Sequence, residues 1–182
     1  MLFAGGFFLL MKLDATDFEL FDLPATFAQD RAVLDARWKD LQREAHPDRF
    51  AAQGATAQRV AMQWSVRINE AYQRLKDPVK RASYLCTLNG APIDAEHNTS
   101  MPAEFLMQQM EWRESLDDAQ DAKSLEALHD EVDGARRRAL SSLDWLIDEK
   151  GAYTKAAAQV RALMFIERFA RDVETKLDRL GQ

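Results

Sequence analysis

"LQREAHPDRF", residues 41–50, decides the fold, because its proline must end whatever helix leads into it. Pro47 fixes its own φ and pushes His46 out of the α region, so the loop between the flanking segments is stiff. Upstream, Leu34, Trp38 and Leu41 fall on one face at about 100° per residue, and Asp30 is placed to cap the helix they imply, which runs to about Ala45. Downstream, Ala61, Trp64, Ile68, Ala71, Tyr72 and Leu75 mark a second helix, from about Thr56 to Leu75. Two amphipathic helices with matching stripes and a short connection make an antiparallel hairpin.

The loop at the tip of that hairpin has the chemistry of recognition. Asp48 follows a rigid residue, so its carboxylate has little conformational freedom to lose on meeting a cation of a partner. Lys39 and Arg43 project opposite the apolar stripe, one turn apart, and Arg49 follows just past the loop. The competing reading is a solvated helix face that ends in an ordinary turn, since Asp and Pro are common turn residues.

Working outward, "TDFELFDLP" predicts a short helical turn ended by Pro24. Asp77 and Pro78 read as the cap and first residue of a further helix, which Asn89 and Gly90 stop. The stretch "APIDAEHNTSM", residues 91–101, has no periodicity and reads as a linker. Beyond it, Pro102 opens a helix to about Asp118. Another, from about Ser124 to Lys150, carries Leu125, Leu128, Val132, Ala139, Leu143 and Leu146 in register, and Gly151 breaks it. The last, from about Tyr153 to Leu180, carries Leu163, Ile166, Val173, Leu177 and Leu180. None of the three is apolar all round, so they pack on one another as a three-helix bundle. With only 7 glycines and 5 prolines and helical spacing throughout, the class is all-α.

The helix from Pro102 has two apolar sides. Phe105, Trp112 and Leu116 lie within about 40° of one another and suffice for a core stripe. Leu106, Met107 and Met110 lie elsewhere, and Glu111, Glu114, Asp117 and Asp118 continue that side toward the C-terminal end. Phe165 similarly sits about 90° from the centre of its own helix's stripe. A helix that touches two neighbours in a bundle would use such residues internally; a docking surface would use them as an apolar anchor with an acidic rim.

The 182 residues carry a net charge of −6, which excludes a non-specific nucleic-acid binder, because phosphate neutralisation needs clustered Lys and Arg. One cysteine, Cys86, rules out an intramolecular disulfide and a Cys-rich zinc or self-contained iron–sulfur site. Its apolar surroundings predict a buried small hydrophobe rather than a reactive thiol. His46, His97 and His129 show no helical metal-ligand spacing, and no nucleophile or phosphate-cradling loop accompanies them, so neither a cofactor nor enzymatic catalysis is expected.

"ELFDLP", "WKDLQREAHPDRF" and "INEAYQRLKDPVKRASYL" resemble a J-domain. "AEFLMQQMEWRESL" and "QVRALMFIERF" resemble the C-terminal domain of HscB-type co-chaperones of iron–sulfur cluster assembly. The resemblance runs from about Phe18 to the C-terminus and implies a J-domain over 15–90, a linker over 91–101 and a scaffold-binding helical domain over 102–182. It implies that His46, Pro47 and Asp48, helped by Lys39, Arg43 and Arg49, act on an HscA/DnaK-type chaperone and stimulate its ATPase. It implies too that Leu106, Met107, Met110, Glu111, Glu114, Asp118 and Phe165 bind an IscU-type scaffold protein. A J-type co-chaperone with a different client is the alternative. Two residues depart from the family pattern: Asp22 stands where glycine is frequent, and Ala45 where an aromatic often precedes the loop.

The opening "MLFAGGFFLL" has no basic flank and no small-residue cleavage site, and its apolar run is far short of the roughly 20 residues a membrane span needs. Residues 1–14 therefore read as an N-terminal extension that includes Met11, a plausible natural start, in a protein of the reducing cytoplasm. Peptide mass spectrometry of the native N-terminus is expected to find Met11 first; a mature chain beginning at Met1 overturns that reading.

Overall fold

A computed structural model describes residues 14–94 and 100–180. The expectations for the apolar start and for His97 lie outside the described residues. Among those residues there are seven α-helices and no strand. They are α1 (Asp17–Phe21), α2 (Arg31–Glu44), α3 (Ala55–Lys76), α4 (Pro78–Leu88), α5 (Ala103–Asp118), α6 (Ala122–Asp144) and α7 (Tyr153–Leu180). A 3-10 stretch, Pro47–Gln53, joins α2 to α3, and a π-helical turn, Trp145–Glu149, follows α6.

The chain divides into two compact units between Arg81 and Ala82, inside α4. In the first, local chemistry starts the helices as expected. Asp30 Oδ1 accepts from the amides of Ala32 (2.8 Å) and Val33 (3.2 Å), and Asp77 Oδ1 from those of Val79 (2.9 Å) and Lys80 (3.0 Å). Thr16 and Glu19 form a reciprocal capping box on α1, a helix too short to stand alone. That helix delivers Phe18 and Phe21, both essentially inaccessible, into the core of the unit, where Leu34, Ile68 and Leu75 are buried as well.

The α2–α3 hairpin is antiparallel, as its cross-contacts show by running in opposite order along the two helices. Arg31 Nη2 donates to the Tyr72 hydroxyl (3.1 Å), Trp38 Nε1 to Asn69 Oδ1 (2.9 Å) and Gln42 Nε2 to the Ser65 carbonyl (3.0 Å). The Trp38 and Tyr72 rings stack at 4.7 Å between centroids. Trp38, expected in the core stripe, is only half-buried, because its indole N–H reaches outward to Asn69.

The second unit is built on α5, α6 and α7. Its core is Trp112, Leu125, Val132, Leu143, Val160 and Leu163, all nearly inaccessible. Three details differ from expectation. The helix ending near Lys150 widens into the π turn, which buries the consecutive residues Leu146 and Ile147 and turns Trp145 outward at 53% exposure. The apolar stripe of α7 ends at Val173, since Leu177 is only half-buried and Leu180 is exposed. The described ends of the expected linker are held down: Ile93 is buried, and the buried Arg161 donates to the carbonyls of Ile93 (2.9 Å) and Ser100 (2.6 Å).

α4 ends as glycine dictates. Gly90 adopts φ 76°, and the amide of Ala91 returns to the Cys86 carbonyl (2.8 Å). Cys86 itself is inaccessible, and burial pushes its thiol up to about 11, so it is an inert filler of the core.

The Tyr72 hydroxyl also donates to Asp35 Oδ1 (2.8 Å), and this bond, ahead of the neighbouring Arg31, holds the Asp35 carboxyl below its ordinary value. A depressed carboxylate contributes stability above its unfolded-state pKa and loses it as the pH falls through the folded one. Tyr72→Phe is therefore expected to lower the thermal midpoint at neutral pH, with a deficit that narrows as the pH falls below 3.8. Thermal unfolding followed by circular dichroism across that range checks it; a deficit that does not vary with pH counts against the Asp35 linkage.

Candidate functional site

The first candidate surface begins where α2 ends. The Ala45 amide donates to the Leu41 carbonyl (2.9 Å), and His46 is extended at φ −62° and ψ 126°, as a residue before proline must be. Pro47 opens the 3-10 stretch. The Arg49 amide then closes on the His46 carbonyl (3.1 Å), and the Asp48 amide donates to His46 Nδ1 (3.3 Å). Two anchors hold this turn to the hairpin. Phe50 is buried, and the Ser65 hydroxyl on α3 donates to the Ala45 carbonyl (3.0 Å). Gly54, at φ 93°, makes the entry to α3 that a residue with a Cβ would resist.

The result is a pinned loop with an unscreened acid. The Asp48 side chain is 88% exposed and that of His46 59%, with His46 Nδ1 3.7 Å from Asp48 Oδ2. Lys39, Arg43 and Arg49 are all exposed. Arg43 pairs with Asp40 (2.8 Å), and Arg49 Nη1 donates to the Arg43 carbonyl (3.3 Å), so the two arginines flank the loop as one cationic edge. The two departures from the family pattern are accommodated locally. Ala45 is wholly buried, and Asp22 takes the left-handed conformation at φ 53° while pairing with Arg37 (3.1 Å).

The second candidate surface lies on α5. Leu106, Met107 and Met110 are 50, 69 and 74% exposed, a concentration of apolar side chains in water with few equals elsewhere in the unit. Glu111, Glu114 and Asp118 are exposed on the same side, toward the C-terminal end. Phe165 is not among these open residues. Its half-buried ring packs edge-on against Phe105 (5.6 Å) and stacks with Phe169 (6.0 Å), while Arg113 covers it at 5.5 Å. Phe169 and Phe105 in turn meet Trp112, so four rings close a cluster that ties α5 to α7.

Comparison with known proteins bears on both surfaces. Residues 101–174 match the family model described as the HSCB C-terminal oligomerisation domain. The co-chaperone protein HscB homolog of Burkholderia multivorans is 51% identical over 174 residues, covering 94% of this chain and 99% of that protein. This chain belongs to the HscB co-chaperone family. The homolog of Paraburkholderia xenovorans is 49% identical over the same share. Among solved structures, chaperone HscB from Vibrio cholerae is 35% identical, covers 91% of this chain and 99% of its own, and superposes with a TM-score of 0.76. Human co-chaperone protein HscB, 24% identical over 91% of this chain and 84% of its own, shares the fold with a TM-score of 0.83. The relatives are co-chaperones, and among the described residues no helix is long and apolar enough to cross a membrane.

For an HscB chain, several supporting residues escaped the sequence reading. Glu131 on α6 accepts from Trp112 Nε1 (2.8 Å) and Gln108 Nε2 (3.1 Å), which fixes the rotation of α5 and so the direction its open face points. Lys176 on α7 gives its ammonium to the Leu116 and Asp117 carbonyls at the C-terminal end of α5, where a cation is favoured. His129 on α6 is half-buried and faces Glu174 (3.6 Å). No grouping of His, Cys, Asp and Glu able to hold a metal occurs among the described residues.

These contacts separate the helix's support from its open face. Trp112→Ala is expected to cost about 3–5 kcal/mol, whereas Met107→Ala and Met110→Ala should stay within about 0.5 kcal/mol of the unmodified chain. Denaturant unfolding measures both; a large loss from Met110→Ala would place that side chain in the core.

Proposed function

We propose that this HscB-family chain binds an iron–sulfur cluster scaffold protein of the IscU type, delivers it to an HscA/DnaK-type chaperone and stimulates that chaperone's ATPase. The observation that carries the reading is the pinned loop, with Asp48 88% exposed at its tip. A carboxylate held in place beforehand costs little to order on binding, so its attraction for a cation on the chaperone goes into the complex. Lys39, Arg43 and Arg49 supply the opposite charge beside it and steer an acidic chaperone surface to the loop.

On α5, Leu106, Met107 and Met110 are the apolar anchor for the scaffold, and Glu111, Glu114 and Asp118 select a basic rim around it. Phe165 acts at the edge of this surface by holding α5 in place through Phe105. Joining a client-binding surface to a chaperone-binding loop in one chain raises the effective concentration of client near chaperone without new contacts. The site of action is the cytoplasm, and the chain itself turns over no substrate.

Asp48→Asn is expected to abolish stimulation of the chaperone's ATPase while helicity and scaffold binding stay unchanged. Steady-state ATPase with this protein and scaffold, separately and together, checks it, with synergy expected for the unmodified chain and none for the variant. Retained stimulation by Asp48→Asn removes the role given to the loop. Failure of the unmodified protein to capture the scaffold points instead to a different client.

A further inference from the structure

The seam between α5 and α7 opens, beside the ring cluster, into two adjoining hollows of about 260 and 510 Å³ that share Leu116, Asp117 and Asp172. Their floor is apolar: Phe165 and Leu116 are half-buried, and Leu180 at the far end is 47% exposed. Their walls reverse the sign of the neighbouring α5 face. Arg113, Arg168, Lys176 and Arg179 line the two hollows against the carboxylates of Asp117 and Asp172, in a chain whose net charge is −6.

The four cations are not equivalent. Lys176 is committed to the C-terminal carbonyls of α5, and Arg113 to the face of the Phe165 ring. Arg168 and Arg179 are exposed and, among the described residues, stand in no ion pair. They lie eleven positions apart on α7, three turns, which brings both to the same side of the helix about 16 Å apart. An occupant must therefore offer an apolar side chain to the floor and separated negative charges to the two ends. A continuous polyanion fits poorly, because Asp117 and Asp172 stand between those ends.

We propose that this groove is a second docking site, for an acidic segment of a partner protein that inserts a leucine- or phenylalanine-like side chain between its carboxylates. Together with the acidic α5 face, it makes the unit's binding surface bipolar, so a partner that spans both is held in one orientation.

The probe is a fluorescein-labelled peptide of alternating glutamate and leucine, titrated against the full chain by anisotropy, with a lysine–leucine peptide as counterpart. The acidic peptide is expected to bind saturably and more weakly as salt rises, and the Arg168→Glu/Arg179→Glu double variant to weaken it about tenfold or more. Arg168→Gln/Arg179→Gln, a milder change at exposed positions, should give a smaller loss in the same direction with the circular dichroism spectrum unchanged. Glu111→Lys/Glu114→Lys should leave binding of the acidic peptide intact or improved. Absence of saturable binding of the acidic peptide, equal binding of it by the arginine variants, or a loss of lysine-peptide binding in those variants as large as that of the acidic peptide overturns the proposal. Each of these outcomes is independent of scaffold capture through α5, which is read with the unmodified groove.

Discussion

The ring of a proline crowds a helical residue before it, and this constraint at Pro47 sets where α2 ends and the loop of the first unit begins. It forces His46 into an extended conformation, so α2 stops at Glu44 and its last carbonyls need other donors. One of them, that of Ala45, is taken by the Ser65 hydroxyl, which ties the end of α2 to α3. Farther from the loop, Trp38 with Asn69 and Arg31 with Tyr72 continue the same antiparallel pairing. The loop is thus rigid for two reasons at once, a local torsion and a set of contacts to the neighbouring helix.

The second unit solves a different problem, that of keeping a helix in place while leaving one side of it open. α5 is bound through one stripe, by Trp112 in the core, by the Phe105–Phe165–Phe169 rings and by Lys176 at its C-terminal end. Because these contacts suffice, Leu106, Met107 and Met110 can remain in water. Phe165 belongs to the support as much as to the surface, and its ring carries Arg113 to the mouth of the groove.

Period and punctuation made most of the architecture legible. Asp30 and Asp77 cap where short polar side chains before apolar periods should, and Gly90 ends α4 where a left-handed residue is needed. The exposed anchors of α5 were legible because helical phase separates them from Trp112. Legibility failed where a long-range contact decided the outcome. Nothing local marks Glu131 as the partner of Trp112, or Arg161 as the residue that fastens Ile93 and Ser100. Phase placed Phe165 off its helix's stripe, but only the packed neighbour, Phe105, shows what that direction meets. The π turn at Trp145–Glu149 escaped because a single extra residue in a helical turn leaves the composition unchanged.

Asp17 is the one wholly inaccessible acid among the described residues, and it is gripped by two arginines one heptad apart on α3, Arg67 at 2.6 Å and Arg74 at 2.5 Å. Removing a lone partner from a buried charge is severe, because the remaining charge is stranded away from water. Here the duplication makes the burden unequal. Either arginine can be lost with the acid still neutralised by the other, whereas loss of Asp17 removes at once the partner that both guanidiniums share. The attachment of α1 to the hairpin at this point therefore sets two cations of α3 against one acid of α1, so a single change on the basic side is milder than one at the acid.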